Sequence, residues 1–326
     1  MKPRCSIVIR AFNEEKHIGK LLQGIASQTE KSVQVILVDS GSTDDTVAIA
    51  RSHGADLVHI KPGQFTFGRS LNMGIEAVKA DIVVIASAHV YPVYPDWLEK
   101  MLEPFEDEKV ALVYGKQSGC ETSKYSELQV FHHWYPDVSD PDQQTPFCNN
   151  ANSAIRRDLW QQMHYDEALT GLEDLAWAKW VKGLGYKIAY SAEAEIVHVH
   201  QETWRGVYNR YRREGMAFKF INPEATFSFG EFVRATVENI TNDWREAARG
   251  KVLAKEFIPI IKFRLCQFWG TYRGYRQSGP ITSQLKRSFY YPRTELNLEN
   301  NNGRQDVDPI SYEEPRKPLE AKESER

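Results

Sequence analysis

The chain has 326 residues, of which 41% are hydrophobic and 26% charged, and its formal net charge is −3. These values predict a globular protein with a well-buried core, large enough for one α/β domain and an appendage. The four cysteines form no CxxC pair, the N-terminus enters a strand without an apolar leader, and no apolar run approaches the ~20 residues of a membrane span. We therefore expect a cytoplasmic protein with neither a structural zinc site nor a membrane-spanning helix.

Short apolar strands alternate with amphipathic helices over the first 190 residues. Strands are predicted at residues 6–9, 33–38, 57–60, 82–86, 111–114 and 187–190. Helices are predicted after an N-cap at Asn13, from Ser42 or Thr43 to residue 52, and over residues 70–79, 96–105 and 173–184. The alternation predicts a mostly parallel sheet with helices on both faces.

The pattern changes after Trp204. Aromatic and aliphatic residues then recur at helical spacing, no strand is predicted, and residues 257–275 are aromatic and basic together. From about residue 294 large apolar side chains are few, which predicts disorder. We therefore divide the chain into an α/β domain at 1–204, a basic helical extension at 205–293 and a disordered tail at 294–326.

Charge is distributed unevenly between these parts. Residues 205–293 contain 17 Lys or Arg against 7 Asp or Glu, whereas residues 294–326 contain 5 against 9. A basic extension on an acidic domain suggests an anionic partner, such as a membrane surface, a lipid diphosphate or an acidic glycan. A solvated helical face explains the same charges equally well.

Polar side chains follow several of the predicted strands, at the edge where an open α/β sheet binds its ligands. Asp39 ends the second strand and precedes a Ser-Gly-Ser-Thr turn. A carboxylate at this point can accept the N3–H of uracil or thymine, and the amides of the turn can reach a ribose or a phosphate. Alternatively, Asp39 and Ser42 only shape the turn and cap a helix. No GxGxxG follows any strand, so a dinucleotide site is not favoured.

Five segments, in this order, resemble the inverting family 2 glycosyltransferases of the GT-A fold. The resemblance rests on RAFNE at 10–14, DSGSTDDT at 39–46, FGRSLNMG at 67–74, SAH at 87–89 and ED at 173–174. It implies a Rossmann-like sheet that binds a nucleoside diphosphate-sugar at the ends of its strands. The donor-binding residues that it implies are Ala11, Asn13, Glu14, Asp39, Ser42, Arg69, Asn72, Ser87 and Ala88.

One of these segments departs from the family pattern. The family usually has Asp-x-Asp, which holds Mn²⁺ or Mg²⁺, where this chain has Ser-Ala-His, so His89 takes the ligand position. The Ser-Ala-His form is similar to a subset of rhamnosyltransferase-like enzymes of bacterial polysaccharide synthesis. Strand alternation puts His198 and His200 on one face, near where the family often has a further histidine.

The resemblance therefore implies a metal site formed by His89, His198 and His200. Imidazole is a poor ligand for Mg²⁺ but an acceptable one for Mn²⁺, so we expect Mn²⁺ rather than Mg²⁺. Arg69 or Arg205 could neutralise the donor diphosphate instead of a metal.

The acidic pair Glu173-Asp174 opens a predicted helix. The resemblance identifies Asp174 as the catalytic base that deprotonates the acceptor hydroxyl, with inversion at the anomeric carbon, and Glu173 as a residue that positions that hydroxyl. The helix dipole alone also favours carboxylates in a first turn. In the same half of the chain, Asn152 could bond sugar hydroxyls and Trp134 could stack on a sugar ring, although Asn-rich turns also form without a function.

We therefore predict a glycosyltransferase that moves one sugar from a UDP- or dTDP-sugar to a growing, lipid-linked glycan. QETWR at 201–205 reverses the last two residues of the Gln-x-x-Arg-Trp signature of processive synthases, which favours single addition. Residues 257–275 would contact the membrane surface, no nucleic acid is expected as a partner, and the helices of the extension could pair two copies. The alternatives are a catalytically silent nucleotide- or glycan-binding relative and, less favoured because no Gly-rich loop follows the first strand, a nucleotidyltransferase.

Overall fold

The structure, a computed structural model, describes residues 2–277 and 310–312. In these residues one sheet of eight strands is flanked by helices and followed by three longer helices. The strands are β1 Cys5–Ala11, β2 Val33–Asp39, β3 Asp56–His59, β4 Ile82–Ser87, β5 Val90–Pro92, β6 Val110–Ser118, β7 Asn152–Arg156 and β8 Lys187–His198. The helices are α1 Ile18–Ala26, α2 Thr46–Ser52, α3 Phe67–Glu76, α4 Trp97–Leu102, α5 Tyr125–Trp134, α6 Arg157–Gln162, α7 Glu173–Gly183, α8 Trp204–Ile221, α9 Phe229–Arg249 and α10 Leu253–Tyr275.

The strand order β3-β2-β1-β4-β7-β6-β8-β5 confirms the mostly parallel α/β sheet. Strands β1 to β4 are parallel, while β7 is antiparallel to its neighbours β4 and β6, and β5 is antiparallel to β8. Strand β7 was not predicted because its sequence, NSAIR, has only two apolar residues. Strand β8 extends eight residues past its predicted end, and Glu193 and Glu195, which interrupt the apolar pattern, lie at a register shift against β6.

Alternate residues of the central strands enter separate cores on the two faces of the sheet. Ile7 and Ile9 of β1 pack on one side with Trp97 of α4, and Val8 packs on the other side with Trp177 of α7. All five side chains are fully or almost fully buried. Burial of large apolar side chains on both faces fixes the register of β1, because a one-residue slip would exchange its two faces.

Three predicted helix starts are wrong by two residues or more. Helix α3 starts at Phe67 rather than at residue 70, and the other two starts lie near the ligand-binding edge. Helix α1 starts after His17 rather than after Asn13, which has a φ of 56° and lies in the loop before the helix. Helix α2 starts at Thr46, after Asp45, because Ser42 is occupied by a contact across the loops.

The predicted helical extension is present as α8, α9 and α10 in the described residues. Gly270 and Gly274 let α10 approach α8 closely, since a Cβ at either position would lie within 2.5 Å of a backbone oxygen of α8. Arg264 of α10 forms a buried bidentate ion pair with Asp243 of α9, at 2.7 and 2.8 Å. Much of residues 257–275 is thus an internal helix contact, and none of the helices within the described ranges is long and apolar enough to cross a membrane.

Most of the segment predicted as a disordered tail lies outside the described residues. Its residues 310–312 are described, and they contact the α/β domain. The amide of Ile310 donates to Val93 O at 3.0 Å, and the hydroxyl of Tyr312 donates to Pro92 O. Ile310 and Tyr312 therefore contact the end of β5 and the residue that follows it.

Candidate active site

The sheet register brings the predicted donor-binding segments to one edge. Ala11 at the end of β1 is opposite Asp39 at the end of β2, and Arg10 is opposite Ser87 at the end of β4. Ala88 follows and is fully buried. The convergence expected from the strand order is thus present in the structure, because parallel strands in register end together.

The carboxylate of Asp39 is buried and holds its own turn. It accepts hydrogen bonds from the amides of Gly41 and Ser42 at 3.2 and 3.0 Å, and its Oδ2 lies 3.3 Å from Nδ1 of His59. Sequence reasoning considered both a base-binding and a turn-shaping role, and the hydrogen bonds establish the second without occupying every lone pair of the carboxylate. His59, at the end of β3, was not predicted as a neighbour.

Asn13 and Glu14 join the first loop to its surroundings. The backbone amide of Asn13 donates to Ser42 Oγ at 2.9 Å, and its side-chain Oδ1 accepts from the backbone amide of Thr43 at 2.8 Å. Glu14 Oε1 lies 2.9 Å from Nδ1 of His89. The first loop therefore contacts both the Asp39 turn and the histidine of the Ser-Ala-His segment.

His89, His198 and His200 form a cluster at this edge, with one ligand atom from each within 4.8 Å of the others. The antiparallel pairing of β5 and β8 brings them together, because Val90 is opposite His198 and the Val199 amide donates to His89 O at 3.1 Å. The predicted grouping of the three imidazoles is thus present.

Each imidazole is held at Nδ1 by an oxygen of another side chain. His89 faces Glu14 at 2.9 Å, His198 faces the amide oxygen of Gln117 at 2.8 Å, and His200 faces the carboxylate of Glu127 at 2.8 Å. An acceptor at Nδ1 fixes the proton there and leaves a lone pair on Nε2.

The environment separates the pKa values of two of these histidines. Burial and the neighbouring His200 hold the pKa of His198 well below its usual range, so this imidazole is neutral at physiological pH. Its Nε2 is buried and has no hydrogen-bond partner among the described residues. Burial also opposes the charge on His89, but the carboxylate of Glu14 outweighs it and raises the pKa of His89.

The predicted acidic pair lies in the first turn of α7. The N-cap before it, Leu172, has a left-handed backbone with a φ of 57°, which is strained for a branched apolar residue. Glu173 Oε1 accepts from Arg10 Nη1 at 3.2 Å, and Asp174 Oδ2 accepts from the backbone amide of Asn150 at 3.0 Å. Desolvation by burial, and then the charge of Glu173, raises the pKa of Asp174 to about 7.

Arg10 was quoted in the sequence motif without a role, and the structure gives it one. Its guanidinium lies 5.0 Å from the ring centroid of Phe67, and Arg213 of α8 lies 4.5 Å from the same ring. Arg10 therefore links β1 to Glu173 and to α3. The signal that would have identified it is an arginine at the end of an otherwise apolar strand, since a charged side chain that is partly buried needs a partner.

Arg69 lies in the first turn of α3, where its amide donates to Thr66 Oγ1 at 3.1 Å. Asn72 of the same helix is buried, and the structure does not favour its predicted donor contact. Its Nδ2 donates to Tyr165 O at 2.9 Å, and its Oδ1 accepts from Trp160 Nε1 at 3.1 Å. Because both the nitrogen and the oxygen of its side-chain amide are hydrogen-bonded within the protein, Asn72 fixes the segment that follows α6.

Asn152 and Trp134, the two further residues considered from the sequence, have different surroundings. Asn152 is fully buried in β7 and accepts from Trp97 Nε1 at 2.9 Å, so the structure favours a role in the sheet and not in sugar binding. Trp134, at the end of α5, is 46% exposed and stacks on Phe147 with 4.5 Å between ring centroids.

Sequence reasoning missed a charged cluster behind His200. Glu127 of α5 accepts from His200 and from Arg210 of α8, and Arg210 also donates to Glu202 Oε2 at 2.8 Å. Burial would raise the pKa of Glu127, but the charges of Arg210 and His200 lower it to about 2. Glu127 lies in the middle of the chain and Arg210 in the extension, so no short motif connects them.

The chain is similar to known glycosyltransferases. Residues 6–163 match the family model described as Glycosyl transferase family 2. The O-antigen chain rhamnosyltransferase WbaN of Salmonella anatum is 28% identical over 310 residues, covering 88% of this chain and 95% of that protein. The O-antigen chain rhamnosyltransferase RfbN of Salmonella typhimurium is 23% identical over 309 residues, with the same coverage.

Two solved structures share the fold. The mannosyltransferase PcManGT from Pyrobaculum calidifontis, in complex with GDP-Man and Mn²⁺, superposes with a TM-score of 0.55 at 18% identity, over 84% of this chain and 85% of that one. Glucosyl-3-phosphoglycerate synthase from Mycobacterium tuberculosis, in complex with Mn²⁺, UDP and glucosyl-3-phosphoglycerate, gives 0.52 at 21% identity, over 69% and 81%. The family match over residues 6–163 and the two O-antigen rhamnosyltransferase relatives support a family 2 glycosyltransferase, and the two solved structures share its GT-A fold.

Proposed function

We propose that this protein transfers one sugar, with inversion, from a nucleoside diphosphate-sugar to a glycan acceptor. One observation carries the proposal: the segment from Arg10 to Glu14 contacts both the acidic pair and the histidine cluster. Arg10, at the end of β1, contacts the acidic pair through Glu173. Glu14, four residues later, contacts the histidine cluster through His89. A proton acceptor and a site for the departing diphosphate thus share one scaffold.

The histidine cluster suits a divalent metal. Neutral imidazoles with Nε2 lone pairs are metal ligands, and the buried, unpartnered Nε2 of His198 is an atom that a metal would satisfy. His89, His198 and His200 would hold the ion, which when bound supplies positive charge to stabilise the departing diphosphate. PcManGT was solved with Mn²⁺ and the synthase with Mn²⁺ or Mg²⁺, so the preference for Mn²⁺ proposed here rests on the imidazole ligands.

We assign Asp174 as the general base. Direct displacement at the anomeric carbon requires a group that takes the proton from the acceptor hydroxyl. A carboxylate with a pKa of about 7 is a stronger base than an ordinary aspartate and is still ionised in part at neutral pH. Glu173 is held by Arg10 and by the Asn150 side chain, at 3.5 Å, so it is better suited to positioning the acceptor.

The donor site would lie between the first loop and the Asp39 turn. Ala11, Asn13, Asp39 and Ser42 line this edge, and the buried carboxylate of Asp39 favours a pyrimidine base with an N3–H, as in UDP or dTDP. The two O-antigen relatives align over 88% of this chain, which favours a rhamnosyl donor and a polysaccharide acceptor. We propose that Ser87, Ala88 and Arg69 also bind the donor, whereas Asn72 does not.

The test is transfer and binding with a panel of nucleotides. Chelator-treated protein is titrated with UDP, dTDP, GDP and CMP, with and without Mn²⁺, and thermal stability is recorded because a bound ligand stabilises the folded state. We expect stabilisation by one pyrimidine diphosphate, increased by Mn²⁺, and transfer from its rhamnosyl derivative. A nucleotide that binds without any transfer or donor hydrolysis would favour a catalytically silent relative, and no binding at all would contradict the proposal.

Contact with an anionic membrane belongs to the same proposal, since a polysaccharide acceptor carried on a lipid would be reached there. Apolar side chains are exposed on α9 and α10, namely Phe229, Val233, Val237, Leu265 and Trp269. Of these, Leu265 and Trp269 line an apolar groove of about 480 Å³ between α8, α9 and α10. Arg273 lies 5.8 Å from the ring of Trp269, a basic and aromatic combination suited to a lipid surface.

Vesicle sedimentation tests this contact. We expect binding to vesicles that contain phosphatidylglycerol, weaker binding to pure phosphatidylcholine, and loss in the Leu265→Ser/Trp269→Ser variant. Binding that is unchanged in this variant would exclude the α9–α10 face. A dimer in solution that the same variant dissociates would instead assign the face to self-association.

The division of the chain into domains at residue 204 stays a proposal. In this division, α8 belongs to the extension and contacts the residues behind the site.

A further inference from the structure

Helices α5 and α8 meet behind the histidine cluster at one buried carboxylate. The side chain of Glu127 is 2% exposed. Its Oε1 accepts hydrogen bonds from His200 Nδ1, at 2.8 Å, and from Arg210 Nη2. A structural ion pair needs only the arginine and the carboxylate. The third partner is one of the three clustered imidazoles, and this indicates a role beyond the stability of the fold.

We propose that Glu127 and Arg210 are positioning residues that hold His200 with its Nε2 facing His89 and His198. The proposal rests on the proposed metal site. A carboxylate can only accept, so the 2.8 Å contact requires the proton on Nδ1 and leaves the lone pair on Nε2. Arg210 in turn fixes Glu127 by a charge-assisted hydrogen bond and is itself held by Glu202.

The arrangement makes the helical extension part of the catalytic cleft. Helix α8 supports the histidine cluster through Arg210, and one turn later the carbonyl of Arg213 accepts from Thr170 Oγ1 at 3.0 Å. Thr170 lies three residues before Glu173. One helix therefore contacts Glu127, behind the histidine cluster, and the segment that leads into the acidic pair.

Metal affinity of the intact protein tests the proposal. Binding of Mn²⁺ is followed by the loss of the electron paramagnetic resonance signal of the free ion, without any substrate. We expect Glu127→Gln, which keeps the shape but removes the charge, to weaken Mn²⁺ binding about 10–100-fold, the usual effect of changing a partner of a ligand histidine. Wild-type affinity in this variant would overturn the proposal.

A second variant separates positioning from stability. Glu127→Leu/Arg210→Met removes the ion pair without leaving an unpaired buried charge. We expect this folded double variant to bind Mn²⁺ as weakly as Glu127→Gln, whereas a purely structural pair would leave the affinity at the wild-type value. The matched control is Asp243→Asn, which breaks the buried Arg264 ion pair of the same extension; it should lower the melting temperature and leave Mn²⁺ binding unchanged.

A measurement on the metal-free protein provides a further check. Long-range ¹H–¹⁵N NMR of the imidazoles distinguishes a proton on Nδ1 from one on Nε2, and we expect Nδ1–H for His200 in the wild type. Nε2–H would overturn the proposal. If the wild type binds no Mn²⁺, the proposed metal site and this inference both fail; if it binds and Glu127→Gln does too, only the inference fails.

Discussion

The two ends of the cleft use burial in opposite ways. At the histidine cluster, every imidazole has an oxygen at Nδ1, and His198 is kept neutral with an unpartnered Nε2. At the acidic pair, Glu173 has a cationic partner in Arg10, whereas Asp174 accepts from the Asn150 backbone amide and has a raised pKa. Burial thus keeps His198 neutral at one end and makes Asp174 a stronger base at the other.

This difference teaches that the surroundings, and not the residue type, separate two adjacent carboxylates. Glu173 and Asp174 follow each other in one helical turn, yet only Glu173 lies against a guanidinium. Pairs of titratable groups whose environments push their pKa values apart are typical of acid–base sites. Single substitutions at either end of the cleft test this difference.

The largest effect is expected at the acidic end. Asp174→Asn should lower kcat by about 10²–10⁴-fold, the usual contribution of a general base, while donor binding is retained. The measurement is the transfer rate at saturating donor together with nucleotide affinity. Asp158→Asn is the control, because Asp158 also lies in the first turn of a helix but is exposed. Transfer that survives Asp174→Asn would reject this residue as the base.

A smaller effect is expected at the histidine end. Loss of a residue that supports a ligand usually weakens metal binding about 10–100-fold. His198→Ala removes a proposed ligand itself, so it should weaken Mn²⁺ binding at least as strongly. His133→Ala, at an exposed histidine of α5, should have no effect. Equal Mn²⁺ affinity of both variants in calorimetry would mean that the cluster does not bind the metal.

The pH dependence of kcat/KM tests the raised pKa of Asp174. We expect the rate to fall about tenfold per pH unit below an apparent pKa near 7, because the base must be ionised. Glu173→Gln removes the negative neighbour that helps to raise this value, so the acidic limb should move to lower pH. The groups around Asp174 are Glu173, Arg10, Tyr135, Cys148 and Tyr165. An unmoved limb would mean that another group controls it.

The smallest effect concerns stability. The folded-state pKa of Asp174 lies above its unfolded value of 3.8, so stability is lost as the pH rises from about 4 to 7. Asp174→Asn should therefore raise the melting temperature at pH 8 by about 2–4 °C for each kcal/mol regained, with no gain at pH 4. A variant that is equally stable or less stable at pH 8 would show that burial of Asp174 carries no such cost.

Much of this protein was determined by its sequence alone. Apolar runs followed by polar ends predicted four parallel strands and their common edge, because burial on both faces gives a continuous apolar run that can be read locally. The segments at Asn13, Asp39, His89 and Asp174 predicted the family and the convergence of the site. The alternation of His198 and His200 placed both imidazoles on one face.

Tertiary structure decided the contacts that depend on distant segments. Strand β7 carries too few apolar residues to be recognised, and it is defined by pairing with β4 and β6. Asn72 has the residue type of a ligand-binding amide, yet the segment at 160–165 occupies it. Glu127 and Arg210 are 83 residues apart, and only the packing of α5 against α8 and α10 shows that they support one histidine. Hydrogen bonds of buried polar groups follow from the fold as a whole, whereas strand and helix periods follow from neighbouring residues.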